Sequence, residues 1–162
     1  ISGLRSAEAR AAVVDSDCAA CLMHMQGEPA TMQDAPVYED VVREVSTWLQ
    51  QATEACVASG IARGRLVLDP GFGFGKDLGH NLALFRALSG DLWQGLPLLV
   101  GVSRKRMLGE ITGRPVTERV YASVAAALLA AQRGAAILRV HDVAATCDAL
   151  KVWQAVKEGE RA

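Results

Sequence analysis

Four short apolar stretches of the sequence each end in side chains that can bind or polarise a ligand. The endings offer a thioether, a carboxylate, a hydroxyl, an amine, a guanidinium and two imidazoles, which suits contacts with a flat heterocycle and with an anion. These residues are Met23 with His24, Asp69, Ser103 with Lys105, and Arg139 with His141. Because the endings recur along one chain, they predict a single site across the carboxyl ends of parallel strands.

Asp69 ends the apolar run LVLD and opens the glycine-rich segment PGFGFGK. Its carboxylate can accept two hydrogen bonds from the edge of a guanidine-like heterocycle, although it could equally cap the following loop. The glycines permit close backbone approach, and Phe72 and Phe74 are expected to be exposed and to wall a flat ligand, unless the loop is packed. The phosphate-loop and dinucleotide motifs are absent, because Lys76 replaces a needed Gly and is followed by Asp77 rather than Ser or Thr.

Ser103 and Lys105 lie where a short helix is expected to open directly after a strand. A helix N-terminus offers unpaired N–H groups and positive potential, which suits a carboxylate or a phosphate. The Ser103 hydroxyl can add a hydrogen bond, the Lys105 amine can reach back over the strand ends, and Gly101 leaves room for a ligand. The alternative is a solvated basic turn.

Arg139 and His141 alternate along the last predicted strand, so their side chains are expected to point to the same face. An Arg and a His together at a strand end make an anion site, and the guanidinium can also stack on a flat ring. The alternative is that Arg139 pairs with a carboxylate inside the fold, for which Asp142 is the nearest candidate.

Cys18 and Cys21 form a C-x-x-C pattern, with His24 three residues later. Zinc would need a fourth ligand and a turn, whereas this segment enters an apolar strand in which the two cysteine side chains face opposite ways. We therefore expect a packing role for the cysteines, no metal site, and a His24 that holds a loop. His80 begins a helix and is expected to be a cap or a surface residue.

The hydrophobic pattern predicts four β/α units and contains no hairpin signal. The predicted strands are 19–24, 65–69, 97–102 and 136–140. The predicted helices are 6–15, 37–59, 81–88, 105–111, 117–133 and 143–157. Residues 23, 69, 103 and 139 are separated by 46, 34 and 36 positions, which is typical of strand–helix crossovers in a parallel sheet.

Two architectures fit this pattern, an open doubly wound sheet and a (β/α)₈ barrel. The strands are continuous apolar runs, as expected when both faces of a sheet are covered. A complete barrel needs about 250 residues, so four units would make half of one. Linkers and low-complexity segments are absent, which indicates that residues 1–162 belong to one domain.

Composition and charge exclude several other classes of protein. Apolar residues make up 51% of the 162 positions and charged residues 22%, so the chain can bury a core. The net charge of −1 argues against nucleic acid or an anionic membrane as a partner, because both attract a positive field. No apolar run approaches bilayer length, and four scattered cysteines are expected to be reduced thiols of a cytoplasmic protein.

Taken together, the segments CLMHMQGEPATMQ, LDPGFGFGK, GVSRKRMLGEITG and RVHDV resemble the dihydropteroate synthase family in order and in spacing. The resemblance extends over essentially the whole chain. It implies a (β/α)₈ barrel of pterin-binding enzymes, of which this chain supplies about the last four β/α units. It also implies an enzyme that joins hydroxymethyl-dihydropterin diphosphate to para-aminobenzoate, releases diphosphate, and is a target of sulfonamides.

The same resemblance implies a role for each site residue. Asp69, Lys105, Arg139 and His141 are expected to be catalytic. Arg139 and His141 would border the diphosphate, and Ser103 and Lys105 the aminobenzoate. The residues expected to contact the pterin are Ile1, Met23, Asp69, Phe74, Gly101, Lys105 and Arg139.

The chain departs from the family in its extent, since it begins at Ile1 and family members carry a preceding half. That half would supply further pterin contacts and the asparagine linked to Mg²⁺, the expected cofactor. We therefore expect a C-terminal half that is inactive alone and has two unpaired sheet edges. Homodimerisation through the late helices is also expected.

Two alternatives remain open from the sequence. A methyltransferase that uses a methyl-folate would share the pterin contacts but would release no diphosphate, so the basic residues near 103–106 and 139–141 argue against it. A non-catalytic half-barrel that associates with a separate N-terminal half would leave the same residues without turnover of their own.

Overall fold

In a computed structural model, which describes residues 4–28, 30–32 and 34–159, the chain forms a four-stranded parallel sheet covered by helices. The strands are β1 (Ala20–Met23), β2 (Leu66–Asp69), β3 (Leu98–Val100) and β4 (Ala135–Leu138). Each strand lies beside its predecessor, in the order β1–β2–β3–β4, whereas a doubly wound sheet reverses direction at a switch point. The predicted fold class is therefore confirmed, as four consecutive β/α units of a (β/α)₈ fold.

The part of the chain that the structure describes contains six α-helices, of which the first precedes β1 and the others connect or follow the strands. They are α1 (Ala7–Val14), α2 (Val41–Ala58), α3 (Leu78–Arg86), α4 (Arg106–Thr112), α5 (Val120–Gln132) and α6 (Val143–Gly159). Ser6 caps α1, as predicted, because its hydroxyl accepts a hydrogen bond from the amide of Ala9. None of the helices in the described ranges combines the length and apolar character needed to cross a membrane.

Carboxylate caps correct two predicted helix starts. Helix α2 begins at Val41 rather than at residue 37, because the Asp40 carboxylate accepts hydrogen bonds from the amides of Val42 and Arg43. Helix α3 begins at Leu78 rather than at residue 81, because Asp77 occupies the cap position before it. In both cases the hydrophobic pattern located the helix, and the cap fixed its first residue.

The core lies between the helices and one face of the sheet. Leu22, Leu66 and Leu68 point to this side and are completely buried. They pack against the face of α2 that the sequence predicted, whose most buried residues include Val45 and Leu49. Burying each large apolar side chain contributes about 1.5–3 kcal/mol, so this layer fixes the strand ends that carry the site.

The opposite face of the sheet is open. Its side chains come from alternate strand positions, where Val67 and Leu99 are partly exposed and Cys21 and Ile137 are exposed. The continuous apolar runs predicted that both faces of the sheet are covered. Within the described residues, only one face is. In the same part of the chain β1 and β4 each have one neighbouring strand, as expected for half of a barrel.

Strand β4 contains one residue more than its neighbour. Leu98 is in register with Ala135, whereas Leu99 is in register with Ile137 and Val100 with Leu138, so Ala136 is the additional residue. The strand ends at Leu138 and not at residue 140 as predicted. The ladder still continues for one hydrogen bond, because the amide of residue 139 donates to the Val100 carbonyl at 3.0 Å.

Candidate functional site at the carboxyl ends of the strands

Asp69 ends β2 at the edge of the sheet where all four strands finish. Its partner in register on β1 is Met23, and the amide of His24 donates to the Asp69 carbonyl at 3.0 Å. The carboxylate is buried, and its Oδ1 accepts a hydrogen bond from the amide of Gly71 at 2.7 Å. Within the described part of the chain Oδ2 has no hydrogen-bond donor, so it remains able to accept from a ligand.

Burial sets the ionisation of Asp69. It raises the pKa of this carboxyl above its ordinary value, because the charged form loses its hydration. The Gly71 amide and the charges of Lys105, Arg139 and Lys76 act in the opposite direction. A buried carboxylate with three basic side chains near it is therefore the electrostatic centre of the site.

The segment after Asp69, residues 70–76, is called the glycine loop below. Gly71 and Gly75 have φ angles of +69° and +63°, which side chains rarely adopt. A methyl group on Gly71 would overlap the carbonyl oxygen of His24, and one on Gly75 would overlap that of Gln26. The close backbone approach that the glycines predicted therefore joins this loop to the segment after β1.

The two phenylalanines of the glycine loop differ in environment. Phe72 is 1% exposed and packs edge-on against Phe85, with 5.8 Å between ring centroids. The prediction that Phe72 is exposed and walls a ligand is therefore wrong, because its ring belongs to the core. Phe74 is partly exposed, and its ring lies 4.3 Å from the amine of Lys105.

Lys76 ends the glycine loop as a buried amine, 2% exposed. Its Nζ lies 2.9 Å from Nδ1 of His24 and donates to the carbonyl oxygens of Gly71 and Phe74, both at 3.0 Å. Burial lowers the pKa of Lys76 to about 7, and burial together with the charge of Lys76 lowers the pKa of His24 to about 3. A neutral His24 thus helps to hold this loop, which confirms its predicted role.

Lys105 reaches back over the strand ends, as predicted. It occupies the cap position before α4, and its Nζ donates to the carbonyl oxygen of Phe72. Burial lowers the pKa of Lys105 to about 8, while the charge of Asp69 raises it and that of Arg139 lowers it. The amine is therefore close enough to the Asp69 carboxylate and to the Arg139 guanidinium for both charges to act on it.

Arg139 and His141 lie beside the loop that follows β3. A methyl group on Gly101 would be 3.2 Å from a terminal nitrogen of Arg139, so the room that Gly101 leaves is used by this guanidinium. The hydroxyl of Ser103 accepts from the amide of His141 at 3.2 Å and lies 3.0 Å from its Nδ1. We call Ser103, Lys105, Arg139 and His141 the basic face.

An ion pair next to the basic face was not predicted. The guanidinium of Arg104 donates to both carboxylate oxygens of Asp142, at 3.1 Å and 2.6 Å. Pairing of Asp142 with Arg139, the alternative considered above, is therefore wrong. Arg139 is exposed and remains available to a ligand.

A cavity of about 570 Å³ adjoins the glycine loop and the first turn of α4. Its rim is fixed by Asn81, whose side-chain amide donates to the carbonyls of Lys76 and Asp77 and accepts from the amide of Gly73. The residues that line it include Gly73, Phe74, Lys76, Asn81, Lys105 and Met107. A partly exposed aromatic ring beside an amine suits a flat anionic ligand.

The described residues do not fit a magnesium ion. They contain no group of three or more His, Cys, Asp or Glu side chains that could hold a metal. Asp69 is the only buried carboxylate in the described ranges, and its charged neighbours are cations. Because Mg²⁺ binds oxygen ligands, this cationic surrounding disfavours it here.

The remaining predicted residues have structural positions. All four cysteines, each in a described segment, are free, and the Cys18 sulfur lies 2.9 Å from the Ser16 hydroxyl. The packing role predicted for Cys18 and Cys21 is not met within the described residues, because both side chains are exposed there. His80 forms a reciprocal capping box with Asp77, which confirms its predicted role as a cap. Ile1, predicted to contact the pterin, lies outside the described residues.

Sequence reasoning missed Lys76, Asn81 and the Arg104–Asp142 pair. Lysine is rarely buried, so nothing in the pattern GFGFGK distinguishes Lys76 from a solvated lysine. Arg104 carried a weak signal, because it stands between two predicted site residues, and Asp142 directly follows a third.

Comparison with known proteins agrees with this geometry. Residues 1–141 match the profile of the family described as pterin binding enzyme. The dihydropteroate synthase of Neisseria meningitidis serogroup B is 57% identical over 145 residues, which are 87% of this chain and 51% of that protein. The chain thus spans about half the length of such relatives.

Solved structures show the same likeness. A sulfonamide complex of Yersinia pestis dihydropteroate synthase superposes with a TM-score of 0.92 at 45% identity, covering 98% of this chain and 58% of that one. The Xanthomonas albilineans enzyme in complex with 7,8-dihydropteroate superposes with a TM-score of 0.89 at 50% identity, covering 97% and 56%. The same enzyme has also been solved with 4-aminobenzoic acid.

Proposed function

Because the chain belongs to the pterin binding enzyme family, we propose that its protein is a dihydropteroate synthase. It would join hydroxymethyl-dihydropterin diphosphate to para-aminobenzoate and release diphosphate. The single observation that carries the proposal is the juxtaposition of a buried carboxylate, Asp69, with Lys105 and Arg139 at one sheet edge. This arrangement can hold the neutral edge of a heterocycle and the anionic group attached to it.

The carboxylate of Asp69 suits the pterin. Its Oδ1 is anchored by Gly71, and its Oδ2 can accept from an N–H of the pterin ring edge. The buried position excludes water, which strengthens that hydrogen bond. When the CH₂ carbon attached to the ring becomes electron-deficient, the same negative charge stabilises the positive charge that spreads over the pterin.

The basic face suits the leaving diphosphate. The CH₂–O bond breaks with its electron pair on the diphosphate oxygen, and Arg139 and His141 can donate hydrogen bonds to that anion. The lone pair of the aminobenzoate nitrogen forms the new C–N bond, and the nitrogen then releases a proton to water or to the diphosphate. Lys105, with its pKa lowered to about 8, remains mostly protonated at pH 7 and can donate to the pterin.

The second substrate fits the cavity beside Lys105. Phe74 and the alkyl part of Lys105 can pack against the aminobenzoate ring, and the Lys105 amine can donate to its carboxylate. The Ser103 hydroxyl lies outside this lining and would donate to the carboxylate from the adjoining loop. A sulfonamide would compete there, because it presents a ring and an anionic group of similar shape. The described residues provide no Mg²⁺ ligands, so no step of this proposal depends on that ion.

We also propose that the protein is a cytoplasmic homodimer. Exposed apolar side chains on the late helices support an interface there, with Tyr121 85% exposed and Val152 66% exposed. Light scattering on the protein expressed from its natural coding sequence should give twice the mass of one chain. A monomeric mass would contradict the dimer and leave the proposed reaction unaffected.

The reaction itself is tested with the protein expressed from its natural coding sequence, supplied with pterin diphosphate and para-aminobenzoate. We expect dihydropteroate and diphosphate in equal amounts, and loss of product for Asp69→Asn. Lys151→Gln, which changes an exposed lysine of α6, serves as the matched control and should leave turnover unchanged. Binding of methyl-folate without diphosphate release would instead favour a methyltransferase, and absence of turnover would favour the non-catalytic alternative.

A further inference from the structure

The loop between β3 and α4 holds a residue in an unusual backbone conformation. Arg104 has a φ of +58°, in the left-handed region that residues other than glycine seldom adopt. It lies between Ser103 and Lys105, two members of the basic face. Such a conformation persists only where the surrounding contacts determine it.

Helix α5 and Arg119, the residue before it, supply the contacts that hold the Arg104 backbone. The amide of Arg104 donates to the hydroxyl of Ser123 at 2.9 Å, and its carbonyl accepts from the guanidinium of Arg119 at 3.1 Å. Ser123 is buried and donates in turn to the Arg119 carbonyl at 2.6 Å. A methyl group on Gly109 would overlap the Arg119 guanidinium, so Gly109 makes this arrangement possible.

The side chain of Arg104 then joins this loop to the one after β4. Its planar guanidinium binds both oxygens of Asp142, a geometry that fixes orientation as well as distance. The carboxylate of Asp142 is mostly buried, with 19% of its side chain exposed. The hydrogen bond from Arg104 lowers the pKa of Asp142 below its ordinary value, so the pair stays ionised at neutral pH.

A second contact ties the same two loops one position earlier in each. Ser103 binds His141 through its hydroxyl, and Arg104 binds Asp142 through its guanidinium. These two contacts join loops that are 38 residues apart in the sequence. The exposed Arg114–Glu118 pair, in contrast, joins residues only four positions apart. A pair of the latter kind contributes little to stability.

We propose that Arg104 and Asp142 form a positioning pair that sets the distance between Ser103 and Lys105 on one loop and His141 on the other. In the proposed function His141 donates to the diphosphate, and its contact with Ser103 means that the separation of the two loops decides where this donor lies. The inference rests on the proposed function for the identity of the anion, and the pair is proposed to act through the residues beside it. Loss of the pair would keep the side chains of Ser103, Lys105 and His141 but would let the two loops that carry them move apart.

The test uses the protein expressed from its natural coding sequence and inorganic diphosphate as the probe, with affinity measured by calorimetry. Asp142→Asn keeps the shape of the side chain and removes its charge. Arg104→Gly keeps the positive φ without strain and removes the guanidinium. Asp148→Asn, at an exposed carboxylate of α6 paired with Lys151 at 3.9 Å, is the matched control.

We expect Asp142→Asn and Arg104→Gly each to weaken diphosphate binding about tenfold, and the double variant to be no weaker than either. In turnover, KM for the pterin diphosphate should rise more than kcat falls. The exchanged pair, Arg104→Asp with Asp142→Arg, should recover binding to within about threefold, because Asp tolerates the left-handed region. The control should bind as the unchanged protein does.

Several results would overturn the positioning role. They are unchanged affinity in the single variants, losses that multiply in the double variant, no recovery in the exchanged pair, or an unchanged protein that binds no diphosphate. Failure of the proposed function would give a different result from those that overturn the positioning role. In that case no dihydropteroate would form, while binding of inorganic diphosphate would still depend on both residues of the pair.

Discussion

The glycine loop and the basic face border the same buried carboxylate, yet different forces hold them in place. The glycine loop is fixed from within, by backbone packing at Gly71 and Gly75 and by the buried amine of Lys76. The basic face is fixed by polar side-chain contacts between two loops, among them the bond from Ser103 to His141. Packing therefore determines one side of the site and charge pairing the other.

The two regions should therefore respond differently to substitutions. A change of shape in the glycine loop should act on folding first, because its backbone has no room to adjust. A change of charge on the basic face should act on binding and rate first, because its side chains are nearer to solvent and contribute less to the core. Three measurements test whether the two regions differ in this way.

The largest effect is expected for Gly71→Ala. The added methyl group would overlap the carbonyl oxygen of His24, and residue 71 has a φ of +69°. Overpacking and backbone strain together should lower the free energy of unfolding by about 2–5 kcal/mol, measured by urea denaturation.

Gly95→Ala isolates the strain from the overlap. Gly95 has nearly the same φ, +68°, but a methyl group there would meet no atom within 4 Å in the described structure. It should therefore lower the free energy of unfolding by about 1–2 kcal/mol. Equal losses in the two variants would mean that packing against His24 does not hold the glycine loop.

The second measurement concerns Lys105 on the basic face. Burial lowers its pKa to about 8, so the protonated donor is lost as the pH rises through that value. The rate constant kcat/KM should therefore fall above about pH 8, and Lys105→Met should lower it about 100-fold at pH 7. Thermal stability of this variant should change much less than that of Gly71→Ala.

Lys105→Arg tests whether Lys105 causes the fall in kcat/KM above about pH 8, which is the alkaline limb of the pH profile. Arginine stays charged, so the variant should lose the limb near pH 8 even though its activity at pH 7 is reduced. Lys76 also titrates near this range, and Lys76→Met should retain the limb if Lys105 is responsible. A limb that persists in Lys105→Arg and disappears in Lys76→Met would reverse the assignment.

The third measurement concerns the pH dependence of stability that Lys76 confers. Its folded pKa is about 7 and its ordinary value is 10.5, so between these values the unfolded chain binds more protons than the folded one. Stability from this group should thus rise as the pH increases from about 7 towards 10.5. Lys76→Met should flatten that rise, measured as the free energy of unfolding at several pH values.

Lys151→Met provides the comparison for this prediction, since Lys151 is an exposed residue of α6. It should keep the same rise in stability as the unchanged protein. A rise that survives in Lys76→Met would show that the glycine loop encloses no neutralised amine, and would remove the main electrostatic contrast with the basic face.

The sequence located the strand ends well because their signal is local and strong. Asp69, Lys105 and Arg139 each end or follow an apolar run, and parallel strands bring such endings to one edge. The core face of α2 followed from helical periodicity for the same reason. These predictions depend on the chain's own spacing and not on what packs against it.

The predictions that failed depend on partners distant in sequence. Phe72 is buried because Phe85 lies above it, and Lys76 is buried because His24 offers it an acceptor 52 residues away. The pairing of Asp142 with Arg104 rather than Arg139 depends on a left-handed backbone that no pattern of residue types predicts. Tertiary contact decided each of these.

The additional residue in β4 has a consequence for how the length of this chain can change. Loss of Ala136 would remove the shift between β3 and β4 and leave Leu138 opposite Val100, so Arg139 would still lie beside Gly101. Loss of Val140 would instead turn His141 to the opposite face, away from Ser103. Homologous proteins should therefore tolerate the loss of the residue at position 136 and exclude deletions from 138–142.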